Sequence, residues 1–286
     1  MPASERHTNI HHLPDDLLAH CLALLPQKDR FSHAPLVCKR FCGLVGRPHQ
    51  LVLAIGRQCQ PAALAQALPL MRALRSWLVK HGGSLRELDV GWHPDANGGE
   101  QDGAAEAASL LAGCLQAATS GSACRLRRLQ LAVTPKPAGN MIYGLSGWAA
   151  ATQSLQHLKV SVTGMLRLLC NLAGASQLRS LELQAQGFWF GPADALPPSL
   201  TKLGFACVGS VAGNLHELQV GNLAALRSLS LDSWTDWDVG PPVSGLSRLH
   251  GLQHLALTDC CVDEWLPAVA PHLTSLQALE MCTAKA

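Results

Sequence analysis

The sequence predicts an α/β solenoid: short parallel strands on a concave face, helices or turns on the convex face, and a small helical segment in front. Three observations lead there. The phrase LxxLxL recurs eight times at near-constant spacing between Leu85 and Met281. Within each copy apolar and polar residues alternate, which is the period of a strand. Residues before Leu51 lack the phrase and space their leucines as one helical stripe instead.

Bulk properties suit a globular chain, with 48% apolar residues, 15% charged residues and a net charge of +2 over 286 residues. With no basic run and no acidic tail, neither nucleic acid nor a membrane surface is an expected partner. The N-terminus MPASERHTNIHH is polar from its first residues and reads as no signal peptide. The alanine-rich stretch around Ala104–Ala118 is interrupted by Glu106 and Gln116 and is too short to cross a bilayer. Eleven cysteines include no CxxC pair, and no glycosylation sequon occurs. Reduced, buried thiols in a reducing compartment are the expectation, which places the protein in the cytoplasm, the nucleus or both.

In chain order, the front segment comes first. IHHLPDDLLAHCLALLPQKDR puts Leu17, Leu18, Cys21, Leu22 and Leu25 on one stripe. Pro14 with Asp15 and Asp16 stands at the helix start, where a fixed φ and negative charge are favourable. A turn at Pro26 leads to a second short helix near Asp29–Ala34, and Pro35 opens a third, LVCKRFCGLV. Three such helices need a further surface to pack on. Residues 48–84 are expected to be a linker and capping helices. Within them Leu70, Met71, Leu74, Trp77 and Leu78 form an amphipathic helix opened by Pro69 and stopped at Gly82.

From residue 85 to 286 the repeats take over. The phrases are LRELDV from Leu85, LRRLQL from Leu126, LQHLKV from Leu155, LRSLEL from Leu178, LTKLGF from Leu200, LRSLSL from Leu226, LQHLAL from Leu252 and LQALEM from Leu276. Successive starts from Leu126 lie 29, 23, 22, 26, 26 and 24 residues apart, the period of leucine-rich repeats. The first spacing is 41, swollen by the turn-rich loop Gly91–Gly103 and a helix-like segment from Ala104 to about Ala118. A second Pro/Gly-rich excursion runs from Pro135 to Gly147. The fourth and sixth positions of each phrase should point inward, and Cys260 and Val262 extend the pattern in the seventh copy. MLRLLCNLAGA from Met165 is expected to return as a helix, and LHELQV from Leu215 as the return of the fifth copy. The eighth copy is followed only by CTAKA. It is therefore expected to be uncapped, with Leu276, Leu279 and Met281 exposed unless the chain is truncated or a partner covers them.

The chemistry of catalysis is not legible. HELQV at His216 begins like a zinc-protease motif, but Val220 stands where the second ligand belongs. Cys38 and Cys42 have no matching pair, His11 and His12 read as surface residues, and Asp232, Asp236 and Asp238 lack calcium-loop spacing. No phosphate-cradling loop occurs, and GLSG from Gly144 lacks the spacing of a nucleophile elbow. No catalytic residue, metal site or cofactor is expected, and the chain reads as a non-enzyme.

LPDDLL, then LP at Leu25, then Asp29, then LVCKRF at Leu36 resembles the F-box over roughly residues 10–47. With the repeats, the chain resembles the F-box/leucine-rich-repeat proteins over most of its length. That resemblance implies a substrate receptor of an SCF-type cullin–RING ubiquitin ligase, serving ubiquitin-dependent protein degradation. The F-box would bind the Skp-type adaptor and through it a cullin, while the repeats capture a protein target. By motif position Leu13, Pro14, Leu17, Leu25, Val37 and Phe41 would face the adaptor, Phe41 standing where a tryptophan is common. The array is short for such receptors. A scaffolding protein of the cytoskeleton or axoneme, with a vestigial F-box, is the competing reading.

For the target, the third, fifth and seventh positions should form ladders on the concave sheet. The fifth-position ladder is Asp89, Gln130, Lys159, Glu182, Gly204, Ser230, Ala256 and Glu280. It is mixed in sign and suits a protein better than a phosphate backbone. Trp92, Phe188, Trp189, Phe190, Trp234 and Trp237 are expected in the loops after the strands. Asp89, Trp92, Gln130, Lys159, Glu182, Trp189 and Trp234 are thus the candidate target-binding residues, since tryptophan is a favoured anchor at interfaces.

Overall fold

The computed structural model describes residues 14, 18, 21–22, 50–55, 72, 74–76, 78–79, 85–92, 113–114, 116–117, 125–133, 142–144, 153–162, 164–168, 172–190, 195–207, 219–233, 243–260, 262–263 and 265–282. The chain forms two compact units, Met1–Leu51 and Val52–Ala286.

In the first unit the expected front helix is present at Leu18, Cys21 and Leu22. The Leu18 amide donates to the Pro14 carbonyl at 3.0 Å, closing the first turn. Leu18 and Leu22, four residues apart, are buried, while Cys21 is exposed. The single stripe expected from the sequence therefore loses Cys21. A stripe that also includes the next residue round the helix is too wide to bury on one side.

The second unit is built on one sheet of nine strands. β1 (Gln50–Ile55), whose first two residues fall within the bounds of the first unit, and β2 (Glu87–Trp92) begin it, followed by β3 (Arg128–Val133), β5 (His157–Val162), β7 (Ser180–Ala185) and β9 (Lys202–Cys207). β10 (Ser228–Asp232), β11 (His254–Thr258) and β12 (Ala278–Cys282) complete it. From β2 to β12 every described pairing is parallel and joins equivalent positions of neighbouring phrases. All eight LxxLxL phrases are strands. β1 is a ninth, in the stretch expected to hold only linker and capping helices. Its sequence QLVLAI is a run of apolar residues without the phrase's spacing, so counting phrases passes over it.

Burial explains the spelling. The first leucines, from Leu85 through Leu126, Leu155, Leu178, Leu200 and Leu226 to Leu252, are at most 1% exposed, as are the fourth-position leucines from Leu88 to Leu255. The sixth position is buried as well, by Val90, Leu131, Val160, Leu183, Phe205, Leu231 and Leu257. Each such side chain stabilises by about 1.5–3 kcal/mol, so these three columns dominate the fold. Entry to each strand is set by a tight turn. Leu178, Leu226 and Leu252 donate to carbonyls three residues back at 2.9–3.0 Å. The second residue of each phrase then offers its carbonyl to two amides of the next phrase, as Arg127 does to Gln156 and His157 at 2.8 and 2.9 Å. Ser154 and Ser199, just ahead of their phrases, donate to the Leu126 and Leu178 carbonyls. In this way hydroxyls satisfy main-chain acceptors that the ladder leaves over.

The return segments depart most from expectation. Met165–Leu168 is not helical. It is a strand, β6, between β4 (Ile142–Gly144) and β8 (Gly187–Phe190) in a second parallel sheet. The chain leaves β5 and β7, turns beside Gly164 and Gln186, whose amide donates to the Gly164 carbonyl, and continues as a second strand. Short apolar runs fit a buried helix or a buried strand equally by pattern, and here neighbouring repeats supply the strand partners. Leu166 pairs with Phe188, both fully buried, and the Phe188 ring meets Phe205 edge to face at 5.5 Å. Later returns are single turns: Val220–Asn222, Val243–Leu246, and Leu266–Val269 running into Ala270–His272. Two of them approach through glycine, since a Cβ on Gly221 would lie 2.8 Å from the Gly245 carbonyl oxygen. Val220 belongs to the expected return after Leu200, while residues 215–218 lie outside the described residues. The seventh repeat follows its extended pattern: Cys260 donates its thiol to the Leu231 carbonyl at 3.4 Å and Val262 is buried.

The helix expected around Leu70–Leu78 is present at Arg72, Leu74, Arg75, Ser76, Leu78 and Val79, with Leu78 buried. Gly113, Cys114, Gln116 and Ala117 are helical within the alanine-rich segment.

Candidate functional site

With the first, fourth and sixth positions inside, the third, fifth and seventh form three rows across the strands. The fifth row is in register along its whole length: Asp89, Gln130, Lys159, Glu182, Gly204, Ser230, Ala256 and Glu280 are successive neighbours. The third row runs Glu87, Arg128, His157, Ser180, Lys202, Ser228, His254 and Ala278 in the same way.

The face divides by chemistry. Its β2–β9 part is charged and centres on Glu182, which accepts a hydrogen bond from Lys202 Nζ at 2.6 Å and lies 3.4 Å from Lys159 Nζ. The bond from Lys202, with the positive charge of both lysines, holds the Glu182 carboxyl below its ordinary value although partial burial opposes this. Burial acts the other way on Asp89, raising its carboxyl, with Lys159 offsetting part of the rise. From β9 to β11 the fifth row turns small, through Gly204, Ser230 and Ala256, before Glu280 in β12. Gly204 leaves room there, with the Glu182 side chain at 3.6 Å from the position of an added Cβ.

Lys202 was outside the fifth-position ladder read from the sequence, although it is the closest partner of Glu182. The offset from third to fifth position across two strands brings it there, and a full table of the rows would have shown it. The same holds for the second positions, Arg86, Arg127, Gln156, Arg179, Thr201, Arg227, Gln253 and Gln277, which form a further row through their main-chain bonds.

The aromatic residues do not all occupy loops. Trp92 ends β2, and Phe188, Trp189 and Phe190 are in β8. Phe188 is core, because it lies one residue into a strand whose partner Leu166 is also buried. Trp234 and Trp237 lie outside the described residues. Of the expected adaptor-facing residues, Pro14 is described and exposed, and Leu13, Leu17, Leu25, Val37 and Phe41 lie outside the described residues. Among the described residues no three His, Cys, Asp or Glu side chains gather as a metal site. Cys114 is buried, which pushes its thiol up to about 11 despite the nearby charge of Arg75.

The family model described as the F-box domain matches residues 10–52. That match nearly coincides with the compact unit ending at Leu51 and extends past the boundary at residue 47 that motif spacing suggested. Comparison with curated proteins finds no match. Among solved structures the chain is similar to an internalin from Listeria monocytogenes, at 15% identity and a TM-score of 0.38, covering 77% of this chain and 76% of that one. The fold itself rests on the register and burial of the eight phrases. The chain therefore joins a segment that matches the F-box domain, at residues 10–52, to a solenoid of parallel strands that repeat the LxxLxL phrase.

Proposed function

We propose that this chain is the substrate-recognition subunit of an SCF-type cullin–RING ubiquitin ligase, its F-box binding the Skp-type adaptor and its solenoid holding a protein target. The F-box match over residues 10–52 carries the reading. F-box domains bind adaptors of the Skp type, and a strand face whose outward third and fifth rows carry charged and polar side chains over an apolar core suits protein recognition. The burial of Leu18 and Leu22 with exposure of Cys21 adds support. Pro14, one of the positions that the motif assigns to the adaptor, is exposed as well, whereas Leu18 is fully buried. In this reading the chain does no chemistry itself, and its place of work is the cytoplasm, the nucleus or both.

Binding of the purified full chain to recombinant adaptor tests it. Leu17→Asp, and Pro14→Ala combined with Leu17→Ala, should abolish capture while leaving solenoid unfolding unchanged, because a charge in a desolvated interface is costly. Wild-type affinity in the Leu17→Asp protein would sink the assignment and favour the scaffolding alternative.

A further inference from the structure

The second row of the strand face differs from the three rows beside it. Its charged members are all arginines: Arg86, Arg127, Arg179 and Arg227. Arg128 stands next to Arg127, and Arg125 immediately precedes the same phrase. Arg86, Arg125, Arg127, Arg128 and Arg179 are exposed. Among the described residues the strand-face ion pairs are those of Glu182, and none involves Arg86, Arg127, Arg128 or Arg179. Arg227 differs, since its guanidinium donates to the Ala224, Leu226 and Gly251 carbonyls and is spent on the fold. Four guanidinium groups therefore line the strand entries of β2, β3 and β7, with Glu87 as the one carboxylate in register against them.

We infer that this arginine row is the docking track for an acidic, extended segment of the target protein, laid across the strands at their entry side. The inference deepens the receptor reading and rests on its claim that the solenoid holds a protein. Strands lie about 4.8 Å apart, so Arg127 and Arg179, two strands apart, are separated by about 9.6 Å along the row. An extended polyproline-type segment repeats the same side about every 9.3 Å, so acidic residues three apart in sequence meet Arg127 and Arg179. Arginine also binds carboxylate with two parallel hydrogen bonds, which fixes geometry as well as charge.

A nucleic acid fits this row poorly. Gln156 and Thr201 interrupt it, whereas a phosphodiester chain carries charge at every nucleotide. The third and fifth rows of β2–β12 hold no Phe, Tyr or Trp on which bases could stack, and they carry Glu87, Asp89, Glu182 and Glu280.

Fluorescence anisotropy with the full chain tests the track. The probe is a labelled peptide of about twelve residues with glutamate at every third position, compared with its glutamine counterpart. Glutamate-peptide affinity should exceed the glutamine peptide's by about tenfold at low salt and fade as ionic strength rises. Arg127→Glu with Arg179→Glu should remove that preference. Arg127→Gln with Arg179→Gln should weaken it at an unchanged melting temperature, which separates charge from folding. Arg248→Glu, an exposed charge on a return turn, should leave it intact. Equal binding of the two peptides, no loss in the Arg127/Arg179 variants, or the same loss in Arg248→Glu would overturn the inference. An oligothymidylate bound as tightly as the glutamate peptide would overturn it in favour of nucleic acid. Adaptor capture, read on the same preparations, keeps the two assignments apart. Its loss with peptide preference intact sinks the ligase reading alone, and the reverse result sinks the arginine track alone.

Discussion

Glu182 shows how much one side chain on this face depends on its neighbours. Its carboxylate sits between Lys159 on one adjacent strand and Lys202 on the other, at 3.4 and 2.6 Å. The Lys202 bond and the two positive charges hold its carboxyl below the ordinary glutamate range in the folded chain. A carboxyl with a depressed folded pKa contributes stability that is present above its unfolded value and lost as pH falls through the folded one. Each pair is largely solvent-facing, so its contribution is about 0.2–1 kcal/mol and screened by salt. Carboxyl titration by NMR should therefore find Glu182 below the ordinary glutamate range, and Lys202→Met should move it upward. An unchanged midpoint in Lys202→Met would contradict the geometry. The fifth-position row was legible in the sequence because the strand period of two fixes which residues share a face. Lys202 was missed because its contact runs diagonally from third to fifth position, and the notation LxxLxL treats those positions as interchangeable.

At the scale of elements, the sequence separated strands from returns well and described the returns poorly. Each phrase repeats its own apolar columns, so the eight strands follow from local pattern alone. A return has only to bury one or two apolar residues, and Leu166, Leu172, Val220, Leu246 and Val269 do so from three kinds of backbone, a strand, a 3-10 turn and an α-helical turn. Pattern cannot choose among them, and Met165–Leu168 became a strand because its neighbours in adjacent repeats are strands too. β12 tests how far the stack protects its members. It pairs with β11 among the described residues, and Leu279 and Met281 are 45% and 50% exposed where Leu255 and Leu257 in β11 are buried. With one hydrogen-bonded neighbour and half-covered side chains, β12 opens at lower free energy than β11. Amide exchange should be faster over residues 278–282 than over 254–258 in the full chain. Comparable protection of the two strands would show that the last strand is held by more than β11.

Across the whole molecule, the second unit has no separate centre, because its core is three columns of side chains shared from strand to strand. A column position in the middle of the stack touches repeats on both sides, and one in β12 touches a repeat on one side among the described residues. In such a quasi-linear array stability is close to a sum of repeat terms and nearest-neighbour interfaces. Loss of a mid-stack leucine therefore weakens two interfaces and leaves a cavity that packed neighbours cannot fill. Leu181 is fully buried between the Leu158 and Leu203 positions with which β7 is in register. Leu181→Ala should destabilise the solenoid by about 2–5 kcal/mol. Leu279→Ala, which removes a side chain already half in water, should cost well under about 1.5 kcal/mol because little apolar area returns to solvent. Urea denaturation followed by far-ultraviolet circular dichroism measures both, and the ratio of the two losses is the informative quantity. Equal losses would mean that the terminal strand contributes to a cooperative core as fully as the central ones.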